Sequence, residues 1–219
     1  MLYEKISVSL VDKMGSDDTV VNAARVSFAK EASQYTKDQN NKLIRYLATH
    51  NHWSPFAHCT LQFHVKAPIF VARQLAKHQV GFAWNEVSRR YVDYSPAFWN
   101  PCGAWRKKAE NKKQGSMDEF VGDTKEAQDV YEDAMRYVYL TYELLLSQGV
   151  CPEQARAVLP QSMMTEWYWT GSLYGFARVC QLRLDPHAQV ECREVALLIN
   201  QECSRLYPES WKALNGTMD

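Results

Sequence analysis

Apolar and polar residues alternate from Ala57 to Ala67. Cys59, Leu61, Phe63 and Val65 fall on one side; His58, Thr60, Gln62, His64 and Lys66 fall on the other. Period two predicts a half-buried strand. Lys5 to Val11 repeats the pattern with Ile6, Val8 and Leu10. Helical spacing takes over elsewhere. After the cap Ser16-Asp17-Asp18, Val20, Val21, Ala24 and Phe28 share a face. Thr36 and Gln39 have capping-box spacing and open a helix striped by Leu43, Ile44 and Leu47. Pro68 suits the first turn of a helix over Ile69 to Lys77. Thr124 to Gln148 reads as a long helix, lined by Val130, Ala134, Tyr137, Val138, Thr141 and Leu145 and stopped by Gly149. Pro152 opens a short helix that ends before Pro160, Met163 to Trp169 reads as a strand, and Ser172 to Leu182 and Ala188 to Leu206 as helices. Tyr94 to Met117, with Pro96, Pro101, Gly103 and Gly115, reads as a long loop. Strands and helices do not alternate strictly, so the expected class is α+β: a mixed or antiparallel sheet packed with several helices. The expectation is a single compact domain over residues 1–219, with a long lid-like insertion at 94–123.

Composition narrows the function. The 219 residues carry 25 Lys+Arg against 25 Asp+Glu, and 46% are hydrophobic, which excludes wholesale disorder. A neutral balance argues against a protein that coats nucleic acid. It leaves room for a small anionic ligand, which needs only a few placed cations. No apolar run is long enough for a membrane helix, and the N-terminal residues lack the features of a secretory signal, so a cytoplasmic protein without a membrane partner is expected. The six cysteines are scattered with no CxxC pair, as reduced thiols would be. His50, His52, His58 and His64 cluster in sequence, but His58 and His64 would sit about 20 Å apart on one strand face, so no metal site is expected.

Three stretches carry candidate chemistry. Arg73 to Tyr91, RQLAKHQVGFAWNEVSRRY, concentrates cations, amides and a serine behind the apolar helix start PIFVA. That arrangement suits a site wall for an anion, phosphate in particular, because arginines grip phosphate bidentately. In QARAVLP, Arg156 lies among apolar residues; in LRLDPHAQ, Arg183 lies between leucines. An arginine in such a setting needs a buried partner or a ligand. Asp185 is one candidate partner. The basic run Arg106, Lys107, Lys108, Lys112 and Lys113 beside Trp105 allows two readings, a nucleic-acid grip or a solvated charge run interrupted by Glu110.

Together these stretches resemble the flavin-dependent thymidylate synthases. His52 to Tyr91 contains the family's H-x-[ST]-P-F opening, its Arg73-Gln74 pair and an intact NE-x-S-x-RY from Asn85 to Tyr91; QARAVLP and LRLDPHAQ follow in the family's order. The resemblance runs from about residue 15 to 205 and leaves out the insertion. It implies methylation of deoxyuridylate (dUMP) to thymidylate, with methylenetetrahydrofolate as carbon donor and FAD, reduced by NADPH, as hydride source. It implies dUMP binding by Gln74, Lys77, Glu86, Val87, Ser88, Arg89, Arg90 and Arg156, with Arg183 beside the pyrimidine as the catalytic residue. It implies FAD binding by His52, Ser54, Lys77, His78, Gln79, Glu86, Ser172, Leu173, Tyr174 and Arg178, and a homotetramer with shared active sites. Flavin, not protein, then supplies the redox chemistry, and neither a nucleophilic cysteine nor a metal is required.

The chain departs from the family at one point. Lys77-His78-Gln79 stands where the signature has RHR, and one extra residue separates His78 from Asn85. Lysine keeps the charge but loses the bidentate fork, and Gln79 loses the charge. The alternative reading is therefore a non-catalytic nucleotide-binding protein of the same fold with a weakened flavin site.

Overall fold

The computed structural model describes residues 2–110 and 116–216. In chain order the elements are β1 (Leu2–Glu4), β2 (Ser7–Met14), α1 (Asp17–Arg25), α2 (Lys37–Thr49), α3 (Ser54–Ala57), β3 (Thr60–Pro68) and α4 (Ile69–Leu75). There follow β4 (Phe82–Glu86), β5 (Ala97–Trp99), β6 (Arg106–Lys108), β7 (Ser116–Phe120), α5 (Thr124–Ser147) and α6 (Pro152–Ala155). The chain closes with β8 (Met164–Ser172), α7 (Leu173–Arg183), α8 (Val190–Leu206) and α9 (Pro208–Asn215). The class is α+β, as the pattern predicts.

The main sheet has the order β2-β3-β8-β4, every neighbouring pair antiparallel; β1 and β5 form a parallel pair, and β6 and β7 a separate hairpin. The alternation from Cys59 onward sets its faces. Leu61, Phe63 and Val65 are fully buried, and β8 adds Trp167 and Trp169 on the same side, opposite Val65 and Phe63. Phe176, Ala177 and Cys180 of α7 cover that face, with Phe176 edge-on to both Phe63 and Trp169. Burying large apolar side chains such as these contributes about 1.5–3 kcal/mol each.

The helix starts follow their capping chemistry. Thr36 caps α2 by accepting from Gln39 N–H, while the Gln39 side chain accepts from Thr36 N–H. Asp17 accepts from Glu209 and Ser210 N–H and so caps α9, a helix that sequence pattern misses. All six cysteines are free; Cys59, Cys180, Cys192 and Cys203 are buried, and burial pushes their thiols up, to about 11 for Cys59 and Cys192. No helix of the described residues is long and apolar enough to cross a membrane.

Several expectations change. Ala57 and His58 close α3 rather than open β3, because Pro55 starts a helical turn there. Phe28 leaves the α1 face and is exposed. On α5 the buried positions are Met135 and Tyr142, whereas Val130 and Tyr137, expected inward, are 66% and 74% exposed. This helix has two apolar faces, and its own chain covers only one. In the insertion, β5 pairs with β1 and the hairpin docks on neighbouring helices: Trp105 Nε1 donates to Gln128 on α5, and Arg106 reaches Glu191 on α8. Lys107 pairs with Glu119, and the basic residues Lys112 and Lys113 lie outside the described residues.

Phe82 joins β4 to this core through two glycines. A Cβ on Gly171 would sit 2.4 Å from the Phe82 ring, and one on Gly175 would sit 2.9 Å from it. Gly171→Ala must displace that ring and is expected to destabilise the protein by about 1–3 kcal/mol, read as a lower denaturant midpoint.

Candidate active site

Pro68 ends β3 and caps α4, which stops at Leu75 rather than Lys77. His78 N–H then bonds the Leu75 carbonyl, and Gly81, at φ +76°, turns the chain into β4. The stretch that reads as a continuing helix end is thus a tight turn plus an edge strand. It places Gln74 and His78 beside the last turn of α7.

Arg183 ends α7 and is held there by two neutral acceptors. Its Nε donates to His78 Nε2 at 3.0 Å and its Nη2 to the Gln74 carbonyl at 3.1 Å. Asp185, the partner that sequence proximity suggests, is turned away and bonds His187. Burial first, and the Arg183 cation second, hold the His78 imidazole below its ordinary pKa. His78 is therefore neutral near pH 7, with Nε2 as acceptor and its proton on Nδ1. Arg183 keeps its full charge and its remaining N–H groups for a ligand, since no carboxylate pairs with it among the described residues.

On β4, Glu86 accepts from Thr165 Oγ1 at 2.7 Å and from Trp84 Nε1 at 3.2 Å, which fixes both carboxylate oxygens. Val87 N–H bonds the Glu166 carbonyl and extends the ladder by one residue. Beyond it Ser88 Oγ accepts from Arg90 N and Nε, both at 3.4 Å, and Arg90 itself is exposed. Arg89 turns inward instead: its guanidinium is buried, donates to the Tyr94 carbonyl and lies 4.3 Å over the Tyr94 ring.

The start of α7 forms a second part of the wall. Ser172 caps the helix through Gly175 N–H, and Leu173 is fully buried with its N–H on the Cys59 carbonyl. Tyr174 faces Trp53, with ring centroids 6.1 Å apart, and Arg178 is exposed one turn later. His52 and Ser54 flank Trp53 and are exposed, as are Lys77 and Gln79. Tyr174 and Arg183 stand about 14 Å apart along the helix, at the usual rise per residue. One helix thus links the aromatic rim to the fixed cation. Arg156 is not brought into this group by any bond; it is exposed in the turn after α6, where its Nε donates to the Glu153 carbonyl.

Sequence reasoning misses three members. Trp53 sits inside the motif HWSPF, but nothing in the motif marks it as a wall. Gln189 Oε1 accepts from Gln74 Nε2, and Glu191 Oε2 accepts from Gln189 Nε2 at 2.9 Å. These last two close LRLDPHAQ and open α8, and no periodicity marks them.

The family model described as thymidylate synthase complementing protein matches residues 9–209. The flavin-dependent thymidylate synthase of Thermosipho africanus is 40% identical over 198 residues, 90% of this chain and 86% of that protein. That of Thermus thermophilus is 40% identical over 212 residues, 97% of this chain and 76% of that protein. The crystal structure of a UMP/dUMP methylase, PolB from Streptomyces cacaoi, bound with 5-Br dUMP, aligns with a TM-score of 0.87 at 32% identity, covering 97% of this chain and 95% of that one.

The His78 contact makes stability depend on pH. Unfolded His78 takes a proton near pH 6.5, while the folded form resists it, so acidification favours the unfolded chain. Folding stability is expected to fall as the pH drops through about 6.5 toward the lower folded pKa. In urea titrations between pH 7.5 and 5.5, His78→Gln should lose less stability than the wild-type chain.

Proposed function

The chain belongs to the family of flavin-dependent thymidylate synthases, the thymidylate synthase complementing proteins, and from that premise we propose that it methylates dUMP to thymidylate. Methylenetetrahydrofolate is the carbon donor, and bound FAD, reduced by NADPH, supplies the hydride. The observation that carries this reading is Arg183, a partly buried guanidinium held at its Nε and one Nη by neutral acceptors. A fixed cation with unused N–H donors suits a uracil ring on which negative charge builds. Such preorganised donors are worth about 100- to 1,000-fold in turnover.

The residues around it have the chemistry the two ligands need. For dUMP, Gln74 and Glu86 offer amide and carboxylate groups, and Ser88 and Arg90 offer a hydroxyl and a free cation for the phosphate. The Val87 N–H holds that turn on the sheet, and buried Arg89 sets the course of the loop to Tyr94. Lys77 adds charge between the two ligands. For FAD, the donor set fits a diphosphate joined to flat rings: exposed Lys77 and Arg178 are cations, Gln79, Ser54 and His52 are neutral partners, and Trp53 with Tyr174 makes an aromatic wall. Ser172 and Leu173 anchor the helix that carries Tyr174, and His78 stands between the flavin side and Arg183.

The working unit in this proposal is a homotetramer with shared sites, acting in the cytoplasm. Two features support it. Arg156 stands exposed away from the Arg183 group, as a residue would that completes a neighbour's phosphate site. On α5 the exposed Val130, Ala134, Tyr137 and Leu144, with half-buried Thr141 between the last two, recur at alternating steps of four and three, the spacing of a helix-packing seam.

Tritium release from carbon 5 of labelled dUMP tests the activity. The wild-type chain with FAD, NADPH and methylenetetrahydrofolate should release it, and Arg183→Ala should lower the rate by about 100-fold or more while the protein still melts cooperatively. Undiminished release in that variant would refute the role of Arg183. Sedimentation tests the assembly: the wild type should run as a tetramer, and Tyr137→Glu should shift it to smaller species.

A further inference from the structure

The hairpin of β6 and β7 contains none of the residues assigned to the site, yet it touches the site through a continuous chain of polar contacts. Arg106 on β6 donates from Nη2 to Glu191 Oε1 at 2.6 Å, and its Nε donates to Ser116 on β7 at 2.7 Å. The Glu191 side chain is only 5% exposed, so Arg106 takes the place that water has around an exposed carboxylate. Its other oxygen accepts from Gln189 Nε2, Gln189 Oε1 accepts from Gln74 Nε2, and the Gln74 carbonyl accepts from Arg183.

The chemistry of the groups gives this chain a direction. Arg106 can only donate, and a carboxylate can only accept. Glu191 therefore turns the Gln189 NH2 toward itself, which leaves the Gln189 oxygen facing Gln74. That oxygen, with the Phe70 carbonyl at 3.5 Å, takes the Gln74 NH2. Gln74 Oε1 is left as a free acceptor, with no donor on it among the described residues. An isolated glutamine would present either end of its amide; here the end is fixed by the Phe70 carbonyl and by Glu191, which Arg106 of the hairpin holds in place.

We propose that Arg106 is a positioning residue for the reaction, acting through Glu191 and Gln189 to make Gln74 present an amide oxygen to an N–H or O–H donor of the nucleotide. The identity of that nucleotide rests on the functional reading above; the relay itself is a property of this chain. The hairpin then tunes substrate affinity without touching substrate. Uniform loss of one oriented hydrogen bond acts on binding rather than on the chemical step, so it appears in KM.

The test uses the full-length protein loaded with FAD, with dUMP as the probe, read by calorimetry and by tritium release. Arg106→Gln should weaken dUMP binding and raise its KM by about tenfold, with kcat within about twofold. Arg106→Lys, which keeps the charge on Glu191, should recover most of the affinity. Glu191→Gln is isosteric, but Arg106 would hold the oxygen of its amide and turn the NH2 toward Gln189, which reverses the hydrogen bonds along the chain and sets the Gln74 amide against the Phe70 carbonyl, so the same rise in KM is expected. In a Gln74→Leu background, Arg106→Gln should add nothing, because the group being oriented is gone. The proposal is overturned if Arg106→Gln leaves KM and affinity within about twofold of wild type, or if its effect persists undiminished in the Gln74→Leu background. A wild-type chain that neither binds dUMP nor releases tritium overturns instead the functional reading, and with it any role for the relay in that reaction.

Discussion

A guanidinium is useful to a reaction only if nothing else neutralises it and nothing lets it swing away. Arg183 meets both conditions because its partners are an imidazole nitrogen and a backbone carbonyl, at 3.0 and 3.1 Å. A carboxylate in either place would hold the side chain as well and cancel its charge. The arrangement depends in turn on His78 staying unprotonated, since a protonated ring has no lone pair to offer. Burial first, and the Arg183 cation second, press it toward that state. The cation and the histidine thus support each other: one adds its field to the burial that keeps the ring neutral, the other supplies the acceptor that keeps the cation in place.

Much of this is legible in the sequence, for identifiable reasons. The strand from Cys59 to Val65 can be read because one face is wholly buried and the other is not, so period two survives undiluted. The start of α2 can be read because Thr36 and Gln39 satisfy each other locally, whatever surrounds them. The candidate stretches around Gln74, Glu86 and Arg183 stand out as polar residues set against apolar flanks. What escapes is information held only in three dimensions. The α5 stripe is misphased because two apolar faces on one helix give two equally good answers, and sequence does not say which one the same chain covers. Asp185 is a natural partner for Arg183 by proximity, but the helix ends between them and the carboxylate turns to His187 instead. The β4 strand is hidden because its five residues mix Phe82 and Trp84 with Asn85 and Glu86, and only pairing with β8 makes them a strand.

The hairpin is tied to α8 by a buried pair. Its strands are short and its outer charges, such as Lys107 with Glu119, form an exposed pair of small energetic weight. Arg106 differs because its partner is buried. A carboxylate with little solvent around it makes the loss of its counter-charge costly, so the hairpin cannot lift away from α8 without exposing or stranding Glu191. The Arg106 side chain is therefore held far more firmly than that of its strand neighbour Lys107.

The tryptophans beneath the site have an optical consequence. Trp84 stacks on Trp167 at 4.3 Å, Trp169 meets Trp84 at 5.6 Å, and the Trp169 ring lies 6.4 Å from His78. Three indoles this close exchange excitation readily, so light absorbed by any of them samples the whole group. An isoalloxazine bound on the wall proposed for it would absorb where indole emits. With the flavin so placed, the sheet would carry its own fluorescent gauge of cofactor occupancy.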